Sequence, residues 1–242
     1  MRRLFTLLLC ALLFALPCAA EEAAPGLAVA DQRLSLVHCG LQTEVCVFFE
    51  VVNDSPTTRS LSHCQLTLLD PEGQPIKTLE STTVFPKTLA PGMRAYGRYD
   101  ERLVGIHPDQ IAAVRILPVQ TDDPPDTPPM LATTAASVTY DEKYRSFDAN
   151  FTLCNDTSEP LTSILVVAAF RDTQGVLRSV SFGSLRADGE RDVLQPGQTY
   201  ENALSAFSIS WDEDAAWQAA GLGSCTVLAV AYEVADEEGR ER

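Results

Sequence analysis

The chain has 242 residues, 45% of them hydrophobic and 21% charged, with a net charge of −15 at pH 7 and a pI near 4.5. That is a globular composition with enough apolar mass for a core. The excess of 33 acidic over 18 basic residues argues against nucleic acid, whose phosphates it could not neutralise, and against docking on anionic lipid.

The first element is a leader. Met1, Arg2 and Arg3 precede an apolar run from Leu4 to Leu16, and Pro17, Cys18, Ala19 and Ala20 follow. A basic start, a short apolar stretch and small residues at the −3 and −1 positions predict a secretory signal, residues 1–20, cleaved after Ala20. The run is short for a membrane span, and no later segment reaches the apolar length that one needs. Lipid attachment calls for small residues just before the acceptor cysteine, and Cys18 has Leu16 and Pro17 there. The expected product is soluble and exported: periplasmic, in the cell envelope or extracellular. Five cysteines remain after cleavage, namely Cys39, Cys46, Cys64, Cys154 and Cys225. An oxidising compartment permits disulfides, and an odd number leaves at least one thiol single or shared between chains.

Residues 21–120 read as a first domain. Val45, Val47, Phe49 and Val51 alternate with the period of a strand, and Cys64, Leu66 and Leu68 do so after an Asn-Asp turn. Asp70-Pro71-Glu72-Gly73 predicts a hairpin turn, in which glycine supplies positive φ and aspartate bonds nearby amides. Leu89-Ala90-Pro91-Gly92 marks a further turn before Tyr96, His107 to Gln110 a single turn, and Ala113 to Pro118 the last strand. Residues 121–136, with four prolines and three aspartates, predict an extended linker.

Residues 137–238 then repeat the first domain. Phe49 to Ser55 matches Phe151 to Thr157 at an offset of 102, and Asp70–Gly73 matches Asp172–Gly175 at the same offset. Leu89–Gly92 matches Leu194–Gly197 at 105. Shared punctuation in one order indicates a tandem duplication. Short strands at this turn spacing predict all-β architecture, two β-sandwiches. One short helix is expected before the last strand of the second: Asp212-Glu213-Asp214 starts it, Ala215 to Ala220 favour it and Gly221 stops it. Trp211 and Trp217 flank and occupy that helix and are candidates for a contact surface.

The run Asn-Asp-Ser/Thr, strand, Asp-x-x-Gly, strand, Leu-x-Pro-Gly resembles the FxLYD-type domains of bacterial and archaeal envelope proteins. The resemblance covers about residues 34–120 and 137–235 and implies immunoglobulin-like sandwiches in tandem, with no catalytic residues to carry over. The chain departs from that pattern at Leu69 and Arg171, where an aromatic usually precedes the turn aspartate.

No Gly-x-Ser-x-Gly turn and no CxxC occurs, so neither a nucleophile elbow nor a redox or zinc-knuckle motif is expected. The acidic clusters read as solvated surface, helix N-terminus and linker. Two functions from different classes follow. One is a non-catalytic exported module without cofactor, binding an unknown protein or envelope component or acting as a spacer. The other is a metal-handling protein using His38, Cys46 and His63 of the first domain, with Cys39 also considered. Asn53, Asn150 and Asn155 each head an Asn-x-Ser/Thr triplet, a glycan acceptor in a eukaryotic secretory route.

Register makes one sharper prediction. Setting Leu36 opposite Phe49 and Leu34 opposite Val51 keeps apolar residues together on an antiparallel pair. The same register sets Cys39 opposite Cys46, at a separation a disulfide tolerates. Cys64 is then expected to be a buried thiol.

Overall fold

The structure is a computed structural model that describes residues 26–79, 82–121, 129–144, 146–185, 193–207 and 222–234. The expected leader and the expected helix with Trp211 and Trp217 lie outside the described residues. Within them the chain is all-β. In chain order the first half has β1 (Leu27–Cys39), β2 (Gln42–Asn53), β3 (Arg59–Leu69), β4 (Pro75–Leu79), β5 (Thr83–Phe85), β6 (Thr88–Leu89), β7 (Arg94–Val104) and β8 (Ala113–Gln120). A single 3-10 turn, Pro108–Gln110, precedes β8 where one turn was expected. The second half has β9 (Ala132–Thr133), β10 (Ser137–Asp141), β11 (Ser146–Cys154), β12 (Leu161–Asp172), β13 (Leu177–Ser184), β14 (Thr199–Ser205) and β15 (Leu222–Val234).

These strands form four antiparallel layers. Layer one is β4-β3-β8, with β6 on the start of β3; layer two is β1-β2-β7-β5. Layer three is β13-β12-β15, and layer four is β10-β11-β14 with β9 on the end of β11. Val47, Phe49, Val51, Leu66, Leu68 and their neighbours fill the space between layers one and two. Phe147, Phe151, Leu153, Val166, Ala168 and Phe170 fill the space between layers three and four. Each half is therefore sandwich-like. A third cluster joins them: Cys46, Phe48, Phe85 and Tyr96 of layer two pack on Val167, Ala169, Leu177, Val180 and Val230 of layer three.

The repeated motif is more than a turn. Asn53 and Asn155 are fully buried, and each amide donates to two carbonyls: Asn53 Nδ2 to Thr57 O and Leu89 O, Asn155 Nδ2 to Glu159 O at 2.8 Å and Leu194 O at 2.7 Å. Each Asn Oδ1 accepts from the amide and hydroxyl two residues on, of Ser55 or of Thr157. The amide thus clamps the turn to the Leu-x-Pro-Gly segment, satisfying backbone groups that burial would otherwise orphan. With both amide protons committed, neither asparagine can carry a glycan in the folded chain. Asn150 is half-buried and donates to Thr139 Oγ1. The Asp-x-x-Gly turns are as expected, with Gly73 at φ +79 and Gly175 at φ +80 and amides donating to Asp70 and Asp172.

Two expectations are corrected. The linker does not extend to residue 136: Leu131 is buried in the second core and donates to Ala229 O, and Ala132 and Thr133 pair with β11. An apolar residue in a Pro-rich segment found a core to enter. The second correction is the β1–β2 register. Leu34 faces Val47, Leu36 faces Val45, Cys39 faces Gln42 and Cys46 faces Ser35. No disulfide joins Cys39 and Cys46, or any described cysteine. The strands close through a two-residue turn at Gly40 and Leu41, with Gly40 at φ +67. That tight turn pulled the register four residues away from the expected one. Because four is even, the apolar faces still match.

Candidate functional site

The polar chemistry of the molecule collects at the seam between layers two and three. Glu50 lies on the outer face of β2, fully buried, between Arg94 of β7 and Arg171 of β12, and it pairs with both guanidinium groups. Arg171 also donates to Asp31 Oδ2 at 2.8 Å and to Gly175 O at 2.8 Å. Asp31 reaches this point because β1 carries an irregularity between Val29 and Asp31, and a bulge of that kind re-aims the side chain after it. Its Oδ2 accepts the Leu177 amide as well, at 3.1 Å. Two carboxylates and two guanidinium groups thus neutralise one another at the edge of an apolar contact. They border a shallow recess of about 350 Å3 that Tyr96 and Thr226 complete. Arg171 is the residue that breaks the aromatic pattern in the sequence, and the seam is where it acts.

Beside Arg171, Asp172 is buried and holds the turn that carries Gly175. Its Oδ1 accepts the Gln174 and Val176 amides at 2.9 and 3.0 Å, and its Oδ2 accepts Arg178 Nε at 2.8 Å. Burial alone would raise this carboxyl; Arg178 and the two amides outweigh it and hold the group below its ordinary range. The stability that Asp172 contributes is present above the ordinary carboxylate range and is lost as pH falls through it and below. Phe207 closes the far side of the seam. It lies edge-on to Phe48, with Arg98 4.2 Å over its ring, and its amide donates to Ser179 Oγ at 2.9 Å.

Elsewhere Lys77, Tyr99 and Glu101 link layers one and two at their edge, with Lys77 Nζ 2.6 Å from Glu101 Oε1 and Tyr99 bonded to the other oxygen. Burial and then the Glu101 carboxylate push the Tyr99 phenol up. Glu101 itself sits low, because the Lys77 and Tyr99 bonds outweigh its burial. Burial drives the Cys64 and Cys225 thiols up to about 12. Cys64 is the buried core thiol that was expected. Cys154 is half-buried, and its thiol donates to Asp156, which raises its pKa.

The residues considered for a metal are not brought together. Cys46 points from the outer face of β2 into the seam, His38 shares the opposite face with Thr43 and Val45, and His63 lies in layer one beside Ser62. No group of three or more His, Cys, Asp or Glu side chains suited to a metal occurs among the described residues. What lies beside His38 is His107. The Thr43 hydroxyl donates to Ile106 O at 2.5 Å and holds the loop over the end of β1, so that the two imidazole rings stand 4.5 Å apart. The Asp109 carboxylate meets His107 Nδ1. Leu41, in the turn between β1 and β2, and Val104, at the end of β7, are 85% and 71% exposed.

The sequence reading missed the seam although a signal was present. It took the alternating residues of β2, passed over Phe48 between them and read Cys46 as a disulfide partner or metal ligand. An unbroken apolar run, Val45 to Phe49 in β2 and Ile164 to Phe170 in β12, marks a strand buried on both faces. No helix of the described residues is long and apolar enough to cross a membrane. No protein-family model matches the chain, and no curated protein matches it.

Proposed function

We propose that the chain is a non-catalytic exported component of the cell envelope. In this reading two immunoglobulin-like units of the FxLYD type are docked into one block that binds another envelope component or holds it at a fixed distance. The observation that carries the reading is where the perturbed titratable groups lie. Asp172 with Arg178, Glu101 with Lys77 and Tyr99, and the core thiols Cys64 and Cys225 are each committed to a structural contact. A reaction centre would instead set such groups around a common cavity. The recess at the seam holds carboxylates already neutralised by guanidinium groups, with no nucleophile and base in sequence. The Arg-Arg start, the apolar run and the small residues ending at Ala20 support export.

The test is to express the chain with its own N-terminus in a bacterial host and follow mass, location and activity. The reading expects a product beginning at Glu21 in the extracytoplasmic fraction, and no turnover on ester, peptide and glycoside panels. An unprocessed cytoplasmic chain would contradict export. Turnover abolished by replacing a single Asp or His would contradict the non-catalytic assignment.

A further inference from the structure

We infer that His38 and His107 form a binding site for a divalent transition-metal ion of the zinc class at the tip of the first half. The site is built by the fold. His38 is placed opposite Thr43 by the β1–β2 register, and the Thr43 hydroxyl bond to Ile106 O places His107 against it. Two imidazoles from segments 69 residues apart in sequence are thereby held with ring centroids 4.5 Å apart and planes tilted by 54°. Both are exposed, so water can complete the coordination. Asp109 supplies the supporting contact. A carboxylate at His107 Nδ1 holds the proton there and leaves Nε2 as the free donor, the arrangement that orients ligating histidines in metal sites. The His107 amide donates to Gln110 Oε1 at 2.7 Å and steadies the turn from which the ring projects. Imidazole pairs with water ligands suit zinc and copper rather than calcium or magnesium. The inference stands apart from the envelope reading, since it needs neither export nor a partner.

The chain has three histidines, which makes the test direct. Untagged protein stripped with chelator is titrated with Zn(II) by calorimetry while the imidazole resonances are followed by NMR. One ion per chain should bind, moving the His38 and His107 signals and leaving His63 in place. His38→Ala and His107→Ala should each weaken binding by about tenfold or more, and Asp109→Asn by roughly tenfold. Cys39→Ser and His63→Ala should leave it unchanged. Absence of saturable binding, binding that survives His38→Ala and His107→Ala, or binding lost with Cys39→Ser or His63→Ala overturns the assignment.

Discussion

Strands β2 and β11 occupy the same place in the two halves, yet one is buried on both faces and the other on one. Inward they agree: Val45, Val47, Phe49 and Val51 correspond to Phe147, Ala149, Phe151 and Leu153. Outward they differ, since Cys46, Phe48 and Glu50 stand where β11 has Asp148, Asn150 and Thr152. Strands β12 and β3 show the converse. Leu165, Val167, Ala169 and Arg171 face the seam, while His63, Gln65, Thr67 and Leu69 face outward from layer one. The inward pattern, which each sandwich needs, recurs in both halves, and the outward pattern differs according to what each face meets. The halves therefore meet through non-equivalent faces. A head-to-tail contact of that kind would propagate if the free faces repeated it. They do not: the end layers carry polar residues, as terminal units of stacked repeats do.

The largest effect should come from giving β2 the outward residue of β11. Phe48→Asn removes a buried ring at the centre of the seam and strands an amide there, and should cost about 3–5 kcal/mol in urea unfolding. The reverse change, Asn150→Phe, should alter stability by only about 0.5 kcal/mol, because that face is solvated. Equal losses from both would erase the distinction between the two faces.

What the halves share should respond alike. Asn53→Ala and Asn155→Ala each orphan two carbonyls, and each should destabilise by about 2–3 kcal/mol. A large loss in one half alone would mean that the clamp is not the common device it appears as in the repeat.

The charged seam comes next. Arg171→Leu and Glu50→Thr each install the residue found at the corresponding position of the other half, and each leaves a charge short of a partner. Each should cost about 2 kcal/mol, somewhat under the usual cost of breaking a buried pair, because Arg94 and Asp31 remain. The double variant should lose about 1–2 kcal/mol less than the two singles together. Strict additivity would show that the two side chains do not act as a pair.

The smallest effect is kinetic and separates the cysteines. Cys39 is exposed and should alkylate in the native protein, while Cys64, buried with its pKa pushed up to about 12, should react only on unfolding. Timed labelling with mass mapping reads both at once.

Much of this was legible in the residues, and the misses have a common cause. Alternation, turn chemistry and the 102-residue offset located the strands and the turns at Gly73 and Gly175. They act locally, so a single sequence displays them. The β1–β2 register was misread because alternation fixes only which face a residue takes, and any even shift satisfies it. Gly40 decided among those shifts through the turn. The seam was missed because outward apolar residues such as Phe48 were not weighed against their counterparts in the repeat. Arg171 was seen as a departure from a pattern, but its partners Asp31 and Glu50 lie more than a hundred residues away. His38 and His107 were each noted, and nothing in their spacing said that Thr43 would bring them together.

The central claim is that the seam couples the two halves. The chain's two tryptophans, Trp211 and Trp217, both belong to the second half by sequence, so their fluorescence during urea unfolding is the probe of that half. Phe48→Asn is a change in the first half. If the seam couples the halves, the tryptophan transition of this variant shifts to lower urea together with the far-ultraviolet circular dichroism. A tryptophan transition left at its original midpoint, while the circular dichroism shows the first half unfolding early, would contradict the account.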